Sequence, residues 1–249
     1  MNRWCSAVFG AALMGGSMVS GVSSAQTFYV ATDGDDGSGD GSIGAPWATI
    51  TRALDTVADA STILVRHGTY FGRVRLRGTF ANGVTVRSEI PYQARLRYHA
   101  TVVTCFYGRG ITLEGFDIAH DGPGASGLVI QVQNLLDEPG GSDFVGRITF
   151  RDNVLHDSFN NDILKINNGA GDITVEGNLF YNQTGSDEHI DVNSLTDVTI
   201  QDMCSSTILL EAAAPMAMTP ALTSSSRTAM AVTTQTSGAS ASPSGATSF

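Results

Sequence analysis

From Thr62 onward the chain alternates apolar and polar residues in short runs, and turn residues (Gly, Asn, Asp) separate one run from the next. Period-two alternation over four to seven residues predicts strands with one face buried. The runs are TILVR (62–66), VRLRG (74–78), VTVRS (84–88), ITLEGF (111–116), LVIQVQ (128–133), RITFRDN (147–153), DILKIN (162–167), DITVEGN (172–178), HIDVN (189–193) and DVTIQD (197–202). Only one helical pattern stands among them. Pro46 precedes a segment near 48–59 whose Ile50, Ala53, Leu54 and Val57 fall on one face.

The runs also repeat. ITFRDNVLHDSFNNDILKINNGAGD (148–172) lies over ITVEGNLFYNQTGSDEHIDVNSLTD (173–197), and VTIQD restarts at Val198, a period of 25 residues. ITLEGFDIAHDG (111–122) opens the same way, with a longer excursion before Arg147. Short strands at that period predict a solenoid, in which each repeat buries its apolar side chains on the next. A two-sheet sandwich does not predict near-identical spacing.

The flanks differ from this body. Residues 1–25 hold Arg3, then an apolar and small-residue run, then Ser23-Ser24-Ala25 before Gln26, the layout of a secretory signal peptide rather than a membrane anchor. Export outside the cell or into the periplasm is the expectation. Residues 26–61 carry the Gly/Asp/Ser run Asp33–Gly44 and the helix. Gly44 stands where an EF-hand loop would need Glu, so the run is expected to be a turn-rich loop. The β-helical body is expected over 62–202. From Met203 only Glu211 and Arg227 are charged in 47 positions, and the strand pattern stops. With permissible codons a neighbouring frame after Asp202 reads VFFNDFAGSGRSNGNDTSS, another turn of the repeat. The tail 203–249 is therefore either a low-complexity linker or a frameshifted end, in which case the solenoid lacks its later coils.

A net charge of −10 argues against nucleic acid, and Cys105 and Cys204 are either one disulfide or free thiols. FYVATDGDDGSGDGSIGAPWATITRALDTV followed by STILVRHGTY, with the ITVEGN-type repeats, resembles secreted right-handed parallel β-helix proteins of the pectate-lyase-like superfamily. These include pectate lyases, chondroitinase B and alginate lyases. The resemblance covers about residues 27–202 and implies an all-β, right-handed parallel β-helix. Its open end would be plugged by the N-terminal helix.

Candidate chemistry concentrates in GSDEHIDVNS (185–194) and the strand one repeat earlier. Aligning inward residues Ile130/Val132, Leu164/Ile166 and Ile190/Val192 stacks Gln131, Lys165 and Asp191 in one outward column. Gln133, Asn167 and Asn193 form the next. Asp162, Asp187, Glu188 and Asp191 would surround Lys165 and His189. The resemblance implies that these carboxylates bind Ca2+, that Lys165 or His189 is the catalytic base, and that Gln131, Asn167 and Asn193 hold an acidic polysaccharide. The expected activity is Ca-assisted β-elimination on a uronate-containing polymer, by a monomer with no stable membrane anchor. A hydrolase using paired carboxylates such as Asp162 with Asp187, or a noncatalytic carbohydrate-binding β-helix, are the alternatives. His156–Asp157 and His120–Asp121 are secondary candidates. The arginines 73, 75, 77, 87, 95 and 97 form either an anion-binding strip or a solvated face.

Overall fold

The computed structural model describes residues 26–135, 144–186, 188–193 and 196–206. Strand β1 (Thr27–Val30) opens the chain, and helix α1 (Ile50–Leu54) follows the acidic loop. Then come β2 (Thr62–Val65), β3 (Gly68–Phe71), β4 (Val74–Ser88), β5 (Ala94–Tyr98), β6 (Val103–Glu114), β7 (Asp117–His120) and β8 (Ile130–Gln133). The last coils supply β9 (Gly146–Arg151), β10 (Val154–Ser158), β11 (Leu164–Asn167), β12 (Gly171–Glu176), β13 (Leu179–Gln183), β14 (Ile190–Val192), β15 (Thr196–Gln201) and β16 (Cys204–Ser206). Every pairing between these strands is parallel. The molecule is a parallel β-helix with three faces.

The first face stacks the start of β4, the start of β6, β8, β11 and β14. The second stacks β1, β2, the ends of β4 and β6, β9, β12 and β15. The third stacks β3, β5, β7, β10, β13 and β16. The expected strands 74–78 and 84–88 are fused in β4, and β6 joins an unexpected stretch, 103–105, to the expected strand at 111–114; β4 and β6 turn the corner together through register shifts.

Register puts like on like. On the second face Ile63, Val86, Leu113, Phe150 and Val175 form one inward ladder, each at most 1% exposed. Burial at about 1.5–3 kcal/mol per large aliphatic or aromatic side chain makes such ladders the main stabilising term. Outside, Thr27, Thr62, Thr85, Thr112, Thr149, Thr174 and Thr199 stack in a single column. β-Branched residues suit that pleated surface.

The corner from the second to the third face needs one residue with positive φ, filled by Gly115, Asp152, Gly177 and Asp202 in successive coils. Asn153 and Asn178 follow two of these, both 1% exposed. Asn178 Nδ2 donates to the Phe150 and Glu176 carbonyls, and its Oδ1 accepts from Asn153 N and Nδ2. Asn153 in turn serves Phe116 N and the Leu113 carbonyl. The "RDN" and "EGN" motifs are thus a buried amide ladder that satisfies corner backbone groups which no strand reaches.

Helix α1 is shorter than the 48–59 expected. Past Leu54 the Asp59 carboxylate binds the Ala60 and Asn82 amides, which draws the chain toward β4. The expected face holds nonetheless. Ile50, Ala53, Leu54 and Val57 join Trp47 in the core, and the helix packs on β1, β2 and β4. The acidic loop is turn chemistry, as its composition suggests: Asp35 and Asp40 accept local amides. Asp36 latches the loop to the helix start by accepting from Ala48 N (2.8 Å), Thr49 N (2.9 Å) and Thr49 Oγ1 (2.7 Å). Asp36→Ala is expected to lower stability by about 1–2 kcal/mol, read as a lower denaturant midpoint at unchanged slope.

The third face is the main departure from the expected strands, none of which lay there. The last described strand, Cys204–Ser206, also extends past the expected boundary at 202, with Met203 packed on the core. Residues 1–25 and 207–249, and with them the signal peptide and most of the tail, lie outside the described residues. Cys105 and Cys204 are free thiols, the first buried and the second exposed. Among the described residues no helix is long and apolar enough to cross a membrane.

Candidate active site

The outward column expected on the first face forms in the expected register. Thr104 pairs with Gln131, Gln131 with Lys165 and Lys165 with Asp191. Gln133 pairs with Asn167 in the neighbouring column. Inward Leu164 and Ile166 are fully buried, which fixes the alternation and turns Lys165 and Asn167 outward.

Lys165 Nζ donates to Asp191 Oδ2, while Asn193 Nδ2 donates to Asp191 Oδ1 at 3.2 Å. The two ion-pair side chains are 26% and 22% exposed. The hydrogen bond from Lys165 to Asp191 raises the lysine pKa, opposed by partial burial and reinforced by the charges of Asp191, Asp162 and Glu188. Lys165 is therefore a fixed ammonium at neutral pH. One coil earlier Gln131 Nε2 donates to Gln133 Oε1 at 2.8 Å.

The other expected residues are placed differently. Asp162 is 5% exposed and its carboxylate accepts from Ser186 Oγ, so it faces the turn rather than solvent. Glu188 is exposed. His189 stacks on Phe180, with centroids 6.4 Å apart, and burial lowers its pKa. Its Nδ1 is buried without a hydrogen-bond partner among the described residues. Among the described residues no three His, Cys, Asp or Glu side chains gather closely enough to hold a metal ion. Asp187, one of the four expected calcium ligands, lies outside the described residues.

Two buried side-chain atoms among the described residues lack a hydrogen-bond partner: Asn167 Oδ1 and His189 Nδ1. Both belong to the same short stretch of the first face. An orphaned buried polar atom costs about 1–3 kcal/mol unless water, an ion or a ligand satisfies it.

The secondary His-Asp pairs separate in the structure. His120 is a satisfied core residue, accepting Phe159 N–H at Nδ1 and facing the Leu128 carbonyl with Nε2. His156, by contrast, lies between two carboxylates on the third face: Nε2 is 3.0 Å from Asp117 Oδ1 and Nδ1 2.9 Å from Asp157 Oδ2. Arg97 donates to the same Asp117, Asn182 to Asp157, and Tyr181 stacks flat on the imidazole at 4.7 Å. Asp117 and His156 are 39 positions apart, so only the coil register brings them together.

Burial pushes the Asp117 pKa up, but hydrogen bonds from His156 and Arg97 outweigh it and hold the carboxyl below its ordinary value of 3.8. A depressed carboxylate pKa adds stability that is present above the unfolded value and lost as pH falls through the folded one. The Asp117→Asn protein is expected to be less stable than wild type by about 2 kcal/mol at neutral pH. That is below the figure for a fully buried pair, and the gap should close below about pH 3.8. Urea midpoints at several pH values measure it.

The six arginines do not form one strip. Arg77 pairs with Asp55 and Arg97 with Asp117, and the set is spread over all three faces. Arg87 stands opposite Glu114 in register.

No protein-family model and no curated protein matches the chain. Among solved structures it is similar to one titled rhamnogalacturonan lyase, at 12% identity and a TM-score of 0.38. The match covers 73% of this chain and 66% of that one.

Proposed function

We propose that this β-helix is a secreted polysaccharide lyase that holds an acidic, uronate-containing polymer along its first face and cleaves it by β-elimination. The observation that supports the reading best is the pair of orphaned buried atoms on Asn167 and His189 beside a fixed lysine ammonium. Gln131, Gln133, Asn167 and Asn193 offer amide donors and acceptors along the strand stack, which suits the hydroxyls of a sugar chain. Lys165 meets the uronate carboxylate, withdrawing charge from it and acidifying the C5 hydrogen.

His189 then takes the C5 proton through Nε2. The C5–H electrons form the C4–C5 double bond, the C4–O bond breaks, and Lys165 or water protonates the departing oxygen. Initial rates in chelator against added Ca2+ measure whether a cation contributes. A second reading, sugar binding without cleavage, draws on the tight Lys165–Asp191 pairing, which leaves the lysine less free to act. Ultraviolet absorbance of unsaturated products separates the two: a lyase generates it, and a binding protein retains polymer without it.

A further inference from the structure

At the corner where the third face turns into the first, the first full coil leaves a cleft of about 230 Å3 against helix α1. It lies far from the Lys165–Asp191 rung. Outward positions run Arg75, Thr104, Gln131, Lys165 and Asp191, four rung steps or about 19 Å. Arg75 is two residues beyond the cleft residue Arg73. The cleft therefore closes one end of the polar track on which the proposed substrate lies.

Its walls have a definite chemistry. Phe71, a cleft-lining side chain, is 76% exposed, the most exposed large apolar side chain among the described residues. Gly72 (φ 113) follows it, with open space where a Cβ would stand. Arg73 is held from behind: its Nε donates to the Thr101 carbonyl at 3.1 Å and its guanidinium lies 5.8 Å from the Tyr98 ring centroid. The terminal nitrogens of Arg73 and the hydroxyls of Thr32 and Thr69 take no hydrogen-bond partner among the described residues. No carboxylate lines the cleft, in a chain of net charge −10.

We propose that this cleft is a terminal subsite for one uronate residue of the polymer, a proposal that rests on the reading of the first face as a polysaccharide track. Phe71 offers an apolar plate for the C–H face of the sugar ring. Arg73 offers a planar, pre-positioned fork that matches a carboxylate in two parallel hydrogen bonds. Thr32 and Thr69 accept from or donate to ring hydroxyls. Anchoring at this distance fixes the register of the chain over Lys165 without touching the bond that breaks.

The test is affinity electrophoresis of the full chain in gels containing polygalacturonate or alginate, with dextran sulfate and plain dextran as controls. Phe71→Ala and Arg73→Lys are each expected to weaken retardation by a uronate polymer at least about fivefold. Denaturant midpoints should be unchanged because both side chains are exposed. Arg73→Lys keeps the charge and removes the fork together with its Nε tether to Thr101, so its loss reports geometry. If both variants bind uronate polymer as wild type does while Lys165→Ala binds weakly, the cleft proposal is overturned and the first-face reading stands. Retardation by dextran sulfate that equals that by the uronates, and falls equally in the two variants, overturns the carboxylate assignment. If neither uronate polymer retards the wild-type chain, the subsite and the first-face reading both fail.

Discussion

Lys165→Ala is expected to lower the initial rate of polyuronate depolymerisation by about 10²–10⁴-fold, the range of a positioned proton-transfer or charge-stabilising group. The expectation follows from where the ammonium sits. The buried neighbours Leu164 and Ile166 fix its direction, and Asp191 fixes its end. The same pairing raises its pKa, so Lys165 serves as cation and proton donor, and the base is assigned to His189. The side chain contributes little to folding, because a partly exposed ion pair is worth about 1 kcal/mol or less. Stability and rate therefore separate: the variant should melt close to wild type and turn over far more slowly. Asp191→Asn keeps the shape, loosens the lysine and is expected to cost about tenfold. Initial rates on polygalacturonate, with denaturant midpoints alongside, check both substitutions.

Asn178→Ala is expected to cost about 3–4 kcal/mol of stability, a large loss for a polar-to-small substitution. The side chain is 1% exposed and joins two coils. Its removal strands the Asn153 backbone amide and takes a hydrogen bond from the Asn153 side chain and from the Phe150 and Glu176 carbonyls. Asn178→Asp keeps the size and the acceptor but replaces the donating Nδ2 with an oxygen facing two carbonyls. It should be at least as destabilising at neutral pH. An asparagine that merely filled space would give the opposite order, with aspartate nearly neutral. Urea midpoints of the three proteins decide between these.

Most of two of the three faces was legible in the sequence, 27–30 and 103–105 excepted, because their strands set two inward apolar residues two positions apart. Leu164 with Ile166, Val84 with Val86 and Ile173 with Val175 show the pattern. Register followed, so Gln131, Lys165 and Asp191 stand in the column that alternation predicts. The third face was not legible. In its later coils each strand contributes one principal inward side chain (Ile118, Leu155, Phe180), and its other positions hold His, Asp, Tyr and Asn that resemble turns or chemistry. Missing that face hid the His156 cluster, since Asp117 meets His156 only across coils whose lengths differ. Turn geometry was equally opaque. That Asp162 points to Ser186 and that one side of the His189 ring packs on Phe180 depends on corner backbone angles that no period encodes. The one available signal was the Asn that follows two of the left-handed corner residues, whose recurrence at 153 and 178 marks the buried ladder.

The measurement that tests the central claim most directly is ultraviolet absorbance during incubation of the wild-type chain with polygalacturonate and alginate, run beside a reducing-end assay. Absorbance from the new C4–C5 double bond is expected to rise in step with new reducing ends on one of these polymers, and Lys165→Ala is expected to abolish both. New reducing ends without absorbance would mean hydrolysis and would contradict the elimination. Tight retention of polymer with neither signal would leave the first face as a binding surface and contradict catalysis.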